Sequence, residues 1–237
     1  PPAVETCTGF RDFRHADPQP WTSHRWTGNK GVVEVELQRV GQGSGVDLTG
    51  AGTVQCIRGT GRGSYAVVPA GMASLWCALR GGLEVGCTEG PFRLARREFL
   101  AIPAGPVVRA VGRESADWVG LALPAAMVAP ILRSVGVRRD PGPLLFSTVL
   151  PLDRALLRAL AAAVRQAGSG SPAMDILLGG VLQAAREAQA PVQEWVARAS
   201  GRTEAHRRLT VQRLLKARNR ILNAPFDGND LDSLAAA

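Results

Sequence analysis

The spacing of apolar and polar residues divides the chain in two. From Gly31 onward the pattern repeats every second residue, and after Pro124 it repeats about every 3.6 residues. Val33, Val35 and Leu37 alternate with Glu34, Glu36 and Gln38, which predicts a strand with one buried face. Glycine-rich turns at 41–45, 50–52 and 59–63 separate further short segments. Strands are predicted over 53–58, 65–68, 74–80, 83–87, 98–102, 107–111 and 117–123. Gly81-Gly82 between two of these segments reads as a tight hairpin. Many short strands separated by turn signals predict a sandwich or a barrel.

Beyond Pro124, Met127, Val128, Ile131, Leu132 and Val135 form one helical face. Asp153 is placed to cap a second helix whose face carries Leu156, Leu157, Leu160, Ala161 and Val164. Ser171-Pro172 reads as the start of a third, with Met174, Leu177, Leu178, Val181, Leu182 and Ala185 on one side. Three such helices either cap their own barrel or pair with a second copy. Residues 168–171 read as a loop, and Ser200-Gly201 as the entrance to a terminal helix. That helix is predicted from an N-cap at Thr203 to a stop at Asn223-Ala224-Pro225. Val211, Leu214, Leu215, Ile221 and Leu222 make its apolar face, with Arg218 the exception. Asp230 then caps the opening of a further helix from Leu231.

Charge adds to this picture. The net charge is +8, and 198–223 alone carries eight basic side chains against Glu204. A basic helix suits contact with phosphate backbones, or it is a solvated face in an arginine-rich chain. The longest apolar run, 118–132, is 15 residues and is interrupted by Pro124 and Pro130, too short to span a bilayer. No signal peptide is visible at the N-terminus. Cys7, Cys56, Cys77 and Cys87 form no CxxC pair and are too sparse for a disulfide scaffold, which points to the cytoplasm. Cys56 and Cys77 read as small buried apolar residues, with redox sensing as the alternative. Glycines 59, 61 and 63 lie between strands and read as a turn, not a phosphate loop. With no GxSxG and no HExxH either, no enzyme activity is expected.

Two stretches resemble known families. Leu214-Leu215-Lys216-Ala217-Arg218-Asn219-Arg220-Ile221-Leu222 and Leu231-Asp232-Ser233-Leu234-Ala235 resemble the start of the DNA-binding domain of AraC/XylS-type bacterial transcription regulators. Leu79-Arg80-Gly81-Gly82-Leu83-Glu84-Val85, followed by Pro103-Ala104-Gly105, resembles a cupin jelly roll. Such a barrel ahead of such a domain is an architecture of that regulator family. The resemblance implies an α+β chain: a cupin-like β-barrel, then an all-α region leading into a truncated helix-turn-helix. Its divisions are an N-terminal arm at 1–30, a sensing domain at 31–124, a helical dimerisation region at 125–200, and an incomplete DNA-binding domain at 203–237.

Metal-dependent cupins place imidazoles and a carboxylate where this chain has Val68 and Ala70 (or Val67 and Pro69), Ser74 and Val108, and none of these can ligate a metal. No cofactor is expected. The same alignment turns Ser74, Trp76 and Ala78 inward, with Val108 and Ala110 opposite. Trp76 then either lines a ligand pocket or fills the core. Trp118 is a further pocket candidate whose side of the strand the pattern leaves open. Arg202, Arg207, Arg208, Arg213, Lys216 and Arg220 are the candidate contacts to DNA phosphates. The implied partners are DNA through the longer protein, a small-molecule effector and a second copy of the chain, with no membrane. The alternative is a metal-free cupin that binds or converts a small molecule and whose C-terminal helices are structural.

Overall fold

The computed structural model describes residues 35–88, 90–136, 145–167 and 173–223. The expected arm at 1–30, the cap at Ser171 and the helix opening at Leu231 lie outside them. The fold is α+β. Nine strands form one sheet: β1 Val35–Val40, β2 Gly45–Asp47, β3 Val54–Thr60, β4 Tyr65–Val68, β5 Met72–Cys87, β6 Gly90–Leu94, β7 Glu98–Ile102, β8 Val108–Pro124 and β9 Val149–Pro151. The helices are α1 Ala125–Ser134, α2 Arg154–Ala167, α3 Met174–Ala188, α4 Ala190–Arg198 and α5 Glu204–Asn223. Among the described residues no helix is long and apolar enough to cross a membrane.

The main path through the sheet is β1-β3-β8-β5-β7-β9. Off that path, β4 joins β2 to β8, and β6 pairs with β5. The long strands β5 and β8 run antiparallel to each other along most of their length. The first half of β5 pairs with β7 and the second half with β6, so the strand serves two parts of a rolled sheet.

Gly81-Gly82 sits inside β5 and is not the expected hairpin. The register against β8 shifts between Ala78 and Arg80 and again between Arg80 and Gly82. This bulge changes which face each residue takes. Trp76 and Ala78 belong to one core before it, and Leu83 and Val85 belong to that same core after it. Gly81 has φ +62°, and a Cβ there would stand 3.0 Å from the Ala116 backbone. The reversal comes at the end of β5, where Cys87 pairs with Gly90 of β6. The predicted strands at 107–111 and 117–123 are likewise one strand, β8.

The sheet separates two cores. The inner one draws on all of β1 to β8, with Val40, Val46, Ile57, Val68, Trp76, Phe92, Leu100 and Trp118 among its members. The outer one joins the opposite face, including Leu75, Cys77, Phe99 and Leu121, to Ile131 of α1, Leu156 and Leu160 of α2, and Leu178 and Val181 of α3. The helices therefore cap their own barrel. The Asp153 carboxylate accepts the Leu156 N–H at 2.7 Å, capping α2 as the sequence predicts. Helix α3 starts from Ala173, without a side-chain cap.

A third cluster ties α4 and α5 to the segment that leads into β9. It consists of Phe146, Val192, Val196, Val211 and Leu215. Gln189, fully buried between α3 and α4, accepts the Phe146 N–H at 3.1 Å and donates to the Phe146 carbonyl at 2.9 Å. Asn219 donates to the Ser147 carbonyl at 2.8 Å. Residues 145–151 thus act as a strap, edge-paired to the barrel through β9 and β7 and amide-bonded to the helices.

Candidate functional site

The fold brings the six interior candidates together. Ser74, Trp76, Ala78, Val108, Ala110 and Trp118 all face the inner core, and each is at most 1% exposed. The side of β8 on which Trp118 lies, open in the sequence, is the same as that of Val108 and Ala110. The two indoles pack at 5.8 Å between centroids with planes tilted by 54°, an ordinary aromatic geometry. Each indole N–H is satisfied: Trp76 donates to Ser74 Oγ at 3.0 Å, and Trp118 to Ser64 Oγ at 2.9 Å. Trp76 therefore fills the core.

Glycines make the room. Trp76 is paired across the strands with Gly120, and Trp118 with Gly59. A Cβ on Gly120 would come 2.6 Å from the Trp76 ring, and one on Gly59 would come 2.0 Å from the Trp118 ring. Outside this pair the same device recurs where Tyr65 covers Gly45, its register partner, with the Arg109 guanidinium 5.5 Å from the ring centroid. The sequence alone did not reveal these pairs, because they depend on register. Val68, Ser74 and Val108 bring no imidazole or carboxylate to the interior, and the Ser74 hydroxyl is taken by an indole, so the donor set does not suit a divalent metal.

The outer core holds two thiols. Burial pushes the Cys56 thiol up to about 12, and Cys77 moves in the same direction for the same reason. A thiol that stays protonated at neutral pH is a poor nucleophile.

The basic helix α5 is docked, not free. The Thr203 hydroxyl accepts the His206 N–H at 3.2 Å and caps it. Its buried stripe is Val211, Leu215 and Asn219, four residues apart. The predicted apolar face is corrected accordingly: Leu214 is 64% exposed and Leu222 62%, and Ile221 is exposed too. The deciding contact is polar, since the Asn219 amide matches the Ser147 carbonyl and turns the helix toward that side. Six cations of the region divide by environment. Arg202 and Arg213 are exposed, whereas Arg207, Arg208, Lys216 and Arg220 are half-buried. Arg208 grips Glu204 at 2.6 Å, and its side chain is only 12% exposed. That hydrogen bond, with the charge behind it, holds the Glu204 carboxyl below its usual value. The Arg207 Nε is buried and finds no acceptor among the described residues.

Between α5 and the barrel rim lies a cleft of about 330 Å³. Leu209, Gln212, Arg213 and Lys216 line it from α5, and Ile102, Pro103, Ala104 and Pro106 line it from the rim. Among the described residues no cluster of three or more His, Cys, Asp or Glu could hold a metal ion.

No family model matches the sequence, and no curated protein matches it. Among solved structures the chain is similar to the cupin domain of Cnp3 from Schizosaccharomyces pombe, with 13% identity, TM-score 0.28, and 51% of this chain covering 74% of that one. It is also similar to a cupin superfamily protein from Desulfitobacterium hafniense, with 12% identity, TM-score 0.29, and 46% covering 83%. A conserved protein of unknown function from Streptococcus pyogenes overlaps at 16% identity and TM-score 0.25, with 30% of this chain covering 61% of that one. The chain thus spans about three-fifths of that last protein's length. The barrel assignment stands on the strand register and the two cores.

Proposed function

We propose that this chain is the sensing part of a DNA-binding transcription regulator of the AraC/XylS type, built on a cupin-like barrel without a metal. The observation that carries the reading is the docking of α5. A strongly basic helix is seated on the barrel strap by Val211, Leu215 and the Asn219–Ser147 hydrogen bond. Burying two aliphatic side chains contributes roughly 1.5–3 kcal/mol each, so the orientation of the helix is tied to the state of the barrel. Arg213 and Arg218 on it, and Arg202 just before it, remain exposed for phosphate contact. A change at the strap or rim then alters how the following DNA-reading elements are presented.

Two copies acting together fit this role, and the exposed Ile176, Trp195, Leu214 and Leu222 supply apolar surface for pairing. The second reading, a metal-free cupin that binds a small molecule and uses its helices structurally, is favoured by the shared α4–α5 core with Phe146.

Salt dependence of DNA binding tests the proposal. The 237-residue chain binds duplex DNA, with affinity falling steeply as salt rises. Charge reversal at Arg202, Arg213 and Arg218 flattens that slope. Absence of any salt-sensitive binding, or a slope indifferent to all three reversals, favours the second reading.

A further inference from the structure

We propose that the cleft between α5 and the barrel rim is a binding site for a small amphipathic anion, a molecule with one carboxylate-like head and an apolar body. The walls have opposite characters. Ile102, Pro103, Ala104 and Pro106 form an apolar side, and Leu209 continues it on the helix. Arg213 and Lys216, one turn apart on α5, put two positive charges on the other side, with Gln212 and Ser147 as neutral hydrogen-bonding groups. No acidic side chain is among the lining residues. A guanidinium recognises a carboxylate through paired charge-assisted hydrogen bonds, while the rim accepts an apolar body without polar demands.

The site is preformed. Pro103 and Pro106 fix the backbone at two points of the rim, and the Gly105 carbonyl accepts the Gly71 N–H at 3.3 Å. The opposite wall is held by Val211, Leu215 and Asn219. A volume of about 330 Å³ falls at the lower end of the range for small-molecule sites. Ile102 also belongs to the inner core and pairs with Ser74, whose hydroxyl receives the Trp76 N–H. The cleft therefore has the barrel interior as its floor and the basic helix as its wall. Its consequence for DNA rests on the regulator reading proposed above, since a ligand on Arg213 competes with phosphate for that side chain.

Calorimetric titration of the 237-residue chain with octanoate tests the site, with octanol, octylammonium and acetate as probes of charge and tail. Octanoate binds saturably, and each of the other three binds at least about tenfold more weakly. Arg213→Gln, at an exposed position, weakens octanoate about tenfold or more while leaving octanol unchanged, in line with the loss of a charge-assisted hydrogen bond. Ala104→Trp, which fills the cleft from the exposed rim, abolishes binding without lowering the melting temperature by more than a few degrees. Octanol binding as tightly as octanoate, or octanoate affinity indifferent to both variants, overturns the proposal. Non-specific DNA affinity measured with and without saturating octanoate separates the two readings. Saturable octanoate binding without any salt-sensitive DNA affinity keeps the site and removes the regulator reading. Lack of binding with intact salt-sensitive DNA affinity does the reverse.

Discussion

The barrel interior and the α5–rim cleft lie on either side of Ile102, and they are built on opposite principles. Inside, the large side chains are buried, each indole N–H has a hydroxyl partner, and two glycines leave room for the rings. Outside, the cleft combines an apolar rim with arginine, lysine and glutamine. The interior packs closely around the two indoles, whereas the cleft holds about 330 Å³ of free space. The difference teaches that the residues a cupin-like alignment turns inward can become packing once tryptophan occupies the strands.

The contrast is broken most severely by removing an indole. Trp118→Ala costs about 3–5 kcal/mol, as expected for an emptied aromatic site, and urea unfolding measures it. Gly59→Ala comes next, at about 1–3 kcal/mol from overpacking against the same ring. In the double variant these costs are not additive, because the added methyl enters space that the indole has left. Additivity there means that the glycine is not serving the ring.

Asn219→Leu tests the seating of α5. It leaves the Ser147 carbonyl without its donor in a buried setting, at a cost of about 1–3 kcal/mol. The same variant loosens α5, seen as faster amide exchange along 204–223 than along β5 or β8. Exchange rising equally in the barrel contradicts the assignment of Asn219 to helix docking.

Alkaline pH gives a graded effect. The Cys56 thiol rises from 9.0 to about 12 in the folded chain, and Cys77 rises too. Above pH 9 the unfolded chain loses these protons while the folded chain keeps them. Stability contributed by the neutral thiols is full below pH 9 and is lost as pH climbs toward the folded values, by about 1.4 kcal/mol per unit per thiol. Cys56→Ala with Cys77→Ala removes this part of the alkaline slope. At pH 8 both thiols resist iodoacetamide while Cys87, which is half-buried, reacts. Labelling of Cys56 or Cys77 in the folded chain at the rate of Cys87 contradicts their burial. The smallest effect is that of Arg213→Gln on stability, within about 0.5 kcal/mol for an exposed side chain, although the same change is expected to weaken anion binding.

Much of the barrel was legible in the sequence because short apolar runs are bounded by glycine and proline turn signals. Strands 65–68 and 98–102 match β4 and β7. The caps at Asp153 and Thr203 were legible for a local reason, since each bonds within three residues. What failed depended on partners distant in sequence. Gly81-Gly82 signals a turn or a bulge equally well, and only pairing with β8 decides between them. Helix α5 carries two apolar stripes, and the choice of Val211 and Leu215 over Leu214 and Leu222 was made by Asn219 meeting a carbonyl 72 positions away. The interior candidates were identifiable from strand parity, but their filling by tryptophan depends on Gly59 and Gly120 lying across from the rings. The cleft had no sequence signal, because its two walls are more than a hundred residues apart.

The most direct test of this account is a two-dimensional NMR titration with octanoate that follows the Trp76 and Trp118 indole N–H signals alongside the amides of 102–107 and 209–216. The account predicts saturable shifts confined to the rim and α5, with both indole signals unmoved. Indole N–H signals that shift or broaden while the rim and α5 amides stay still would place the ligand inside the barrel and contradict it.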